Sequence, residues 1–104
     1  MIDWSLQAEG WDVSVASDGR EALDAAIRRR PALVVLDIHL PVFDGRGFAR
    51  ALYLAYGGSV PVIMITADPQ GPEIARRYGF VGYLLKPFEM ADLIKMIRRS
   101  LELA

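Results

Sequence analysis

Three residues of unlike chemistry follow apolar runs in this chain. Asp37 closes the run at 32–36 (ALVVL), Thr66 closes 61–65 (PVIMI), and Lys86 follows 81–85 (VGYLL). A carboxylate, a hydroxyl and an ammonium brought together suit an anion carried on the carboxylate. Asp37 could act as a nucleophile that forms an acyl phosphate. Lys86 could pair with phosphoryl oxygens as a point charge, and Thr66 could donate a hydrogen bond to one of them. Taken singly, each has an ordinary explanation: a strand-end carboxylate caps a helix or shapes a turn, a threonine is structural, a lysine is solvated. Convergence at one place is what would make them a site.

The elements around them decide that question. Apolar runs without alternation are typical of strands covered on both faces, as in parallel sheets. Residues 12–16 (DVSVA) form another short β-branched run, followed by a turn at Ser17-Asp18-Gly19. Asp18 with Glu21 three residues later resembles a capping box. Ala22, Leu23, Ala26 and Ile27 then repeat at helical spacing, with Arg28, Arg29 and Arg30 in the last turn and Pro31 as a stop. The three arginines suit a helix C-terminus and read as a solvated helix end or, alternatively, a binding patch. A loop from Ile38 to Gly45 leads to a helix over 47–56, ended by Gly57-Gly58. Asp68, Pro69 and Gly71 make a polar loop, and a short helix over 73–78 is closed by Gly79. The last helix carries Met90, Leu93, Ile94, Ile97 and Leu101 on one stripe. Strands alternating with helices imply right-handed βαβ units and a mainly parallel sheet with helices on both faces. Ligand sites in such sheets form outside the carboxyl ends of the strands, and Asp37, Thr66 and Lys86 are all placed there.

Composition narrows the alternatives. At 104 residues and 53% apolar, the sequence is that of one domain with one core, not a disordered tail. Twelve Lys and Arg against thirteen Asp and Glu give no reason to propose binding to nucleic acid or acidic membranes. The absence of Cys excludes disulfides and thiolate metal sites, and one His is too few for a His-rich metal site. No apolar run approaches the ~18 residues of a membrane span, and no signal peptide is visible. A soluble cytoplasmic domain is the expectation.

The motifs resemble the receiver domain of bacterial two-component response regulators. Asp37-Ile38-His39-Leu40-Pro41-Val42-Phe43-Asp44-Gly45 resembles the phosphoacceptor loop D-x-x-x-P-x-x-D-G. Thr66-Ala67 resembles the Thr/Ser-Ala at the end of the fourth strand, and Tyr83-Leu84-Leu85-Lys86-Pro87-Phe88 resembles Y-x-x-K-P-F. Ala16-Ser17-Asp18-Gly19 with Ala22-Leu23 resembles the A-x-x-G-x-x-A-L start of the second helix. The resemblance covers nearly the whole chain. It implies a flavodoxin-like, doubly wound α/β fold with strand order 2-1-3-4-5. It also implies that Asp37 accepts a phosphoryl group from a histidine kinase or phosphotransfer protein, and that Thr66 and Lys86 contact that group. Thr66 and Tyr83 would form a switch pair: the hydroxyl moves toward the phosphate, the ring turns inward, and the surface around the last strand and its flanking helices changes partners. Tyr83 read by itself is a half-buried strand aromatic. Pro41 and Gly45 would shape the loop, and the Lys86–Pro87 bond is expected to be cis.

The sequence departs from that family at its start. The first strand, central in the sheet, and its pair of acidic residues are absent from residues 1–104. Ile2 and Leu6 lie four apart and Glu9-Gly10 closes the stretch, which resembles the second half of the family's first helix; Ile2, Trp4 and Leu6 also alternate, so a strand is the other reading. Asp3 reads as a surface residue. Mg²⁺ needs an oxygen cage with near-octahedral geometry. By family analogy only Asp37 and the His39 backbone carbonyl remain as ligands, so weak or absent Mg²⁺ binding and poor phosphorylation are expected. Losing a central strand is comparable with the ~5–15 kcal/mol net stability of a whole domain. Three outcomes are open: the flanking strands pair directly, another chain or segment supplies the strand, as in a domain-swapped homodimer, or the sequence is a fragment. Tyr78 and Phe80 flank Gly79 where the family has small residues, either packing in the core or enlarging an apolar contact surface.

Competing functions follow. A phosphoacceptor signalling module leads. A degenerate receiver working only through protein contacts is the alternative. A phosphatase of the haloacid dehalogenase type would want a second Asp two positions after Asp37, where His39 stands. His39 as a general base is a further enzyme reading beside an exposed loop residue. The domain is not expected to be an enzyme, nor to bind nucleic acid or membrane directly.

Overall fold

In the computed structural model, which describes residues 9–11, 19–37 and 45–103, helices and strands alternate along the chain. They are α1 (Gly19–Arg28), β1 (Val34–Asp37), α2 (Gly45–Tyr56), β2 (Val62–Thr66), α3 (Gly71–Tyr78), β3 (Gly82–Leu85) and α4 (Met90–Leu103). The strands form one parallel sheet in the order β1-β2-β3, the α/β class expected. The segments at 2–8 and 12–16, and the loop 38–44, lie outside the described residues.

All five residues of β2 are buried, because it has a strand on each side and helices on each face. Its side chains alternate between faces. Val62, with Leu36 of β1, packs on Ala26 of α1 and on Phe48 and Leu52 of α2. Ile63 and Ile65 pack on Leu93 and Ile97 of α4, one turn apart on its apolar stripe. Trp11 adds to that second layer, and Arg98 of α4 donates to Glu9 beside it. The ladder continues past the strand ends: Val34 N–H donates to the Pro61 carbonyl (2.9 Å), Val81 N–H to Val62 (2.9 Å) and Lys86 N–H to Thr66 (2.8 Å).

Element boundaries moved at glycines. Helix α2 starts at Gly45 and α3 at Gly71, each two residues before the start read from sequence. Glycine costs a helix about 1 kcal/mol in its interior but little at an end, so a glycine that sequence places in the preceding loop can be the first residue of the helix. Strand β1 starts two residues late and includes Asp37. At the other end of α3, Gly79 takes a left-handed φ of 74°, and Phe80 N–H bonds Ala75 O (2.9 Å) while Gly79 N–H bonds Arg76 O (3.2 Å). This is the Schellman pattern, in which glycine avoids the Cβ penalty. In the first turn of α3 the Glu73 carboxyl sits below its usual pKa, held by the hydrogen bond and charge of Arg76.

The C-terminal ends of α1 and α2 are tied together. The Tyr56 hydroxyl donates to Ala26 O at 2.7 Å, satisfying a carbonyl of the last turn of α1. The Arg30 guanidinium stands 5.8 Å from the Tyr56 ring centroid and donates to Ser59 Oγ at 2.7 Å. Arg30 is therefore not a simply solvated helix end. Tyr56→Phe keeps the ring and removes the donor. It is expected to cost ~0.5–1.5 kcal/mol, read as a lower urea midpoint at unchanged slope.

Candidate functional site

The register of the sheet converts three sequence positions into one place. Asp37 pairs with Ile65, and Thr66 pairs with Leu85, so Lys86 begins one step beyond. Lys86 Nζ donates to Asp37 Oδ2 at 2.8 Å. Both side chains are about one-third exposed, at 36% and 37%. Ion pairs of that exposure contribute ~0–1 kcal/mol, so the pair is a consequence of strand placement and not its cause. The Lys86–Pro87 peptide is cis.

Among the described residues, Thr66 is the one polar residue fully buried at this edge, at 0% exposure. Its Oγ1 accepts the Asp68 N–H at 3.0 Å, a bond that leaves the hydroxyl proton to donate elsewhere. Asp68 Oδ1 in turn accepts the Gln70 N–H (2.9 Å), and Asp68 O accepts the Gly71 N–H (2.9 Å). This closed turn delivers the start of α3 against the end of β2. A Cβ on Gly71 would stand 2.7 Å from Thr66 Cγ2 and 3.1 Å from Leu85 Cδ2, so glycine is required by close approach. The sequence showed Asp68 and Gly71 only as a polar loop. The spacing of an Asp two residues and a Gly five residues past the strand-end Thr is the signal that could have marked them.

Tyr83 lies in register with Met64 and is 38% exposed, beside Leu85 on the same face. His39 and the rest of the loop after Asp37 lie outside the described residues. Among the described residues no group of three His, Cys, Asp or Glu could hold a metal ion, and no helix is long and apolar enough to cross a membrane.

Against this geometry, the family model for the response regulator receiver domain matches residues 1–98. The chain belongs to that family. The DNA-binding response regulator MtrA of Mycolicibacterium paratuberculosis is 36% identical over 103 residues, covering 97% of the chain and 45% of MtrA. The chain thus spans less than half the length of the curated relatives it matches. The receiver domain of the sensor histidine kinase PA1611 from Pseudomonas aeruginosa, solved with magnesium coordinated in its active-site cleft, is 33% identical with a TM-score of 0.85. That match covers 97% of this chain and 85% of PA1611's. The receiver domain of NtrX from Brucella abortus is 31% identical with a TM-score of 0.86, over 99% of this chain and 88% of its own. The fold is therefore the flavodoxin-like one, and β1-β2-β3 supply the contiguous strands 3-4-5 of its order.

In this receiver, Gly71→Ala is expected to cost ~1–3 kcal/mol through overpacking against Thr66. Gly58→Ala, with nothing within 4 Å of the added carbon, is the control that changes little. Urea denaturation of both variants checks the difference.

Proposed function

We propose that residues 1–104 form one receiver domain, its first strand and acidic pair outside them, and that Asp37 is its phosphoacceptor. The observation that carries this is the 2.8 Å contact between Lys86 Nζ and Asp37 Oδ2 at the edge where Thr66 ends β2. An Asp37 oxygen attacks the phosphorus of a phosphohistidine. The P–N bond breaks, an acyl phosphate forms, and the departing imidazole takes a proton. Lys86 then turns its ammonium from the carboxylate to the phosphoryl oxygens, a charge-assisted contact. The buried Thr66 hydroxyl donates its remaining proton to one of them. Tyr83, 38% exposed, turns toward the space the hydroxyl leaves, and the surface of α3, β3 and α4 changes its partners.

The donor is a histidine kinase or phosphotransfer protein, and the setting is the cytoplasm. The chain acts as a regulated binding module and not as an enzyme on external substrates. It makes no direct contact with nucleic acid or membrane.

Mg²⁺ fits poorly. Of the described residues, Asp37 and Asp68 carry carboxylates at this edge, and both are engaged, Asp37 by Lys86 and Asp68 by the Gln70 N–H. With the His39 carbonyl of the family pattern they fall short of the oxygen cage Mg²⁺ demands. Calorimetric titration is expected to give millimolar or weaker binding; tight binding would contradict this. Phosphorylation should accordingly be slow.

Incubation with radiolabelled phosphoramidate tests the site. Labelling is expected to vanish in Asp37→Asn and to slow roughly 100-fold in Lys86→Ala. Label that survives Asp37→Asn would refute the assignment, and no label on the parent chain would favour a receiver that works by protein contacts alone.

A further inference from the structure

The phosphoryl chemistry uses neither Tyr78 nor Phe80, the aromatic pair around Gly79. Their rings meet edge to face, 5.7 Å between centroids, and both are half-buried. Both line a cleft of about 510 Å³ where the first residues of β2 and β3, Val62 and Gly82, leave their loops. The cleft lies at the end of the sheet away from Asp37, about 13 Å along β2 from Thr66.

Its floor is apolar: Leu52, Val60 and Val62 are each less than a tenth exposed. Its mouth is also apolar but wet, with Tyr53 64% and Val81 57% exposed. Across Tyr53 and Tyr78 the cleft continues into a second hollow that reaches Arg50 and Arg77, and Arg99 of α4 lines the first. Among the described residues no Asp or Glu lines either hollow. Glu73, one turn before Arg77, is engaged by Arg76 at 2.6 Å. Three guanidinium groups without a lining acid stand out on a chain whose net charge is -1.

We propose that this cleft docks an acidic peptide segment of a partner protein. An apolar anchor side chain enters between Tyr53 and Val81, and flanking carboxylates meet Arg50, Arg77 and Arg99. Tyr, Arg and Met are the residues enriched where protein partners bind, and Met96 joins the wall. Nucleic acid is the weaker match. Strong backbone binding draws on ~6–10 phosphate contacts, against three arginines here, and the depth of apolar floor suits a side chain better than a phosphate backbone.

The probe is a short synthetic peptide with a phenylalanine flanked on both sides by glutamates, titrated into the isotope-labelled full chain and followed by NMR without phosphodonor. Saturable shifts are expected at Tyr53, Tyr78 and Val81. The same peptide with lysines for glutamates is expected not to bind. The double variant Arg50→Glu, Arg77→Glu, both exposed positions, is expected to weaken binding about tenfold or more. Val81→Glu, which keeps the arginines, is expected to abolish it, and an unchanged melting temperature shows each variant folded. The proposal is overturned by equal binding of the lysine peptide, by shifts centred on Lys86, by binding that survives both variants, by tighter binding of a single-stranded oligonucleotide, or by no saturable binding. None of these outcomes bears on Asp37 as phosphoacceptor.

Discussion

The parallel register around β2 is the constraint from which the rest follows. Every residue from Val62 to Thr66 is buried, and the two faces of that strand pack on different helices. A slip of one residue would exchange its faces, turning Ile63 and Ile65 away from Leu93 and Ile97. The same register that seats the core therefore sets Thr66 between the ends of β1 and β3. Asp37 and Lys86 reach each other because their strands end at that level. Their ion pair is too exposed to position anything by itself; the buried strand does the positioning, and the pair reports it.

Much of this was legible in the sequence. The run PVIMI is the buried strand its unbroken apolar pattern predicts, and ALVVL runs into a strand in which Leu36 is buried; the residues at their ends meet at one edge as the parallel order requires. The apolar stripe of α4 was equally plain, because Leu93 and Ile97 repeat at helical spacing. Gly71 was not legible, since a glycine needed for close approach looks in sequence like a glycine in a loop. Only the 2.7 Å from its missing Cβ to Thr66 separates the two cases. Arg30 was missed for a similar reason: its contacts, Tyr56 and Ser59, lie 26 and 29 positions on, across a helix-to-helix packing that periodicity does not encode.

The short helix α3 touches both ends of the sheet. Its first residue, Gly71, lies against Thr66 at the carboxyl edge, and its last, Tyr78, forms a wall of the cleft at the amino edge. The receiver thus has chemistry at one end of the strands and an arginine-rimmed apolar hollow at the other. Tyr78 and Phe80, whose rings meet edge to face, give the second end its character. Phe80 packs against the core of buried residues that holds Leu52 and Val62, and both rings line the hollow.

Borohydride reduction of the phosphorylated chain, followed by peptide mass spectrometry, locates the acyl phosphate without relying on any substitution. Placement of the reactive carboxylate at the end of β1, beside Lys86, predicts conversion to homoserine at position 37 alone. Trapping at Asp44, at Asp68 or at any other carboxylate, with position 37 intact, would contradict it.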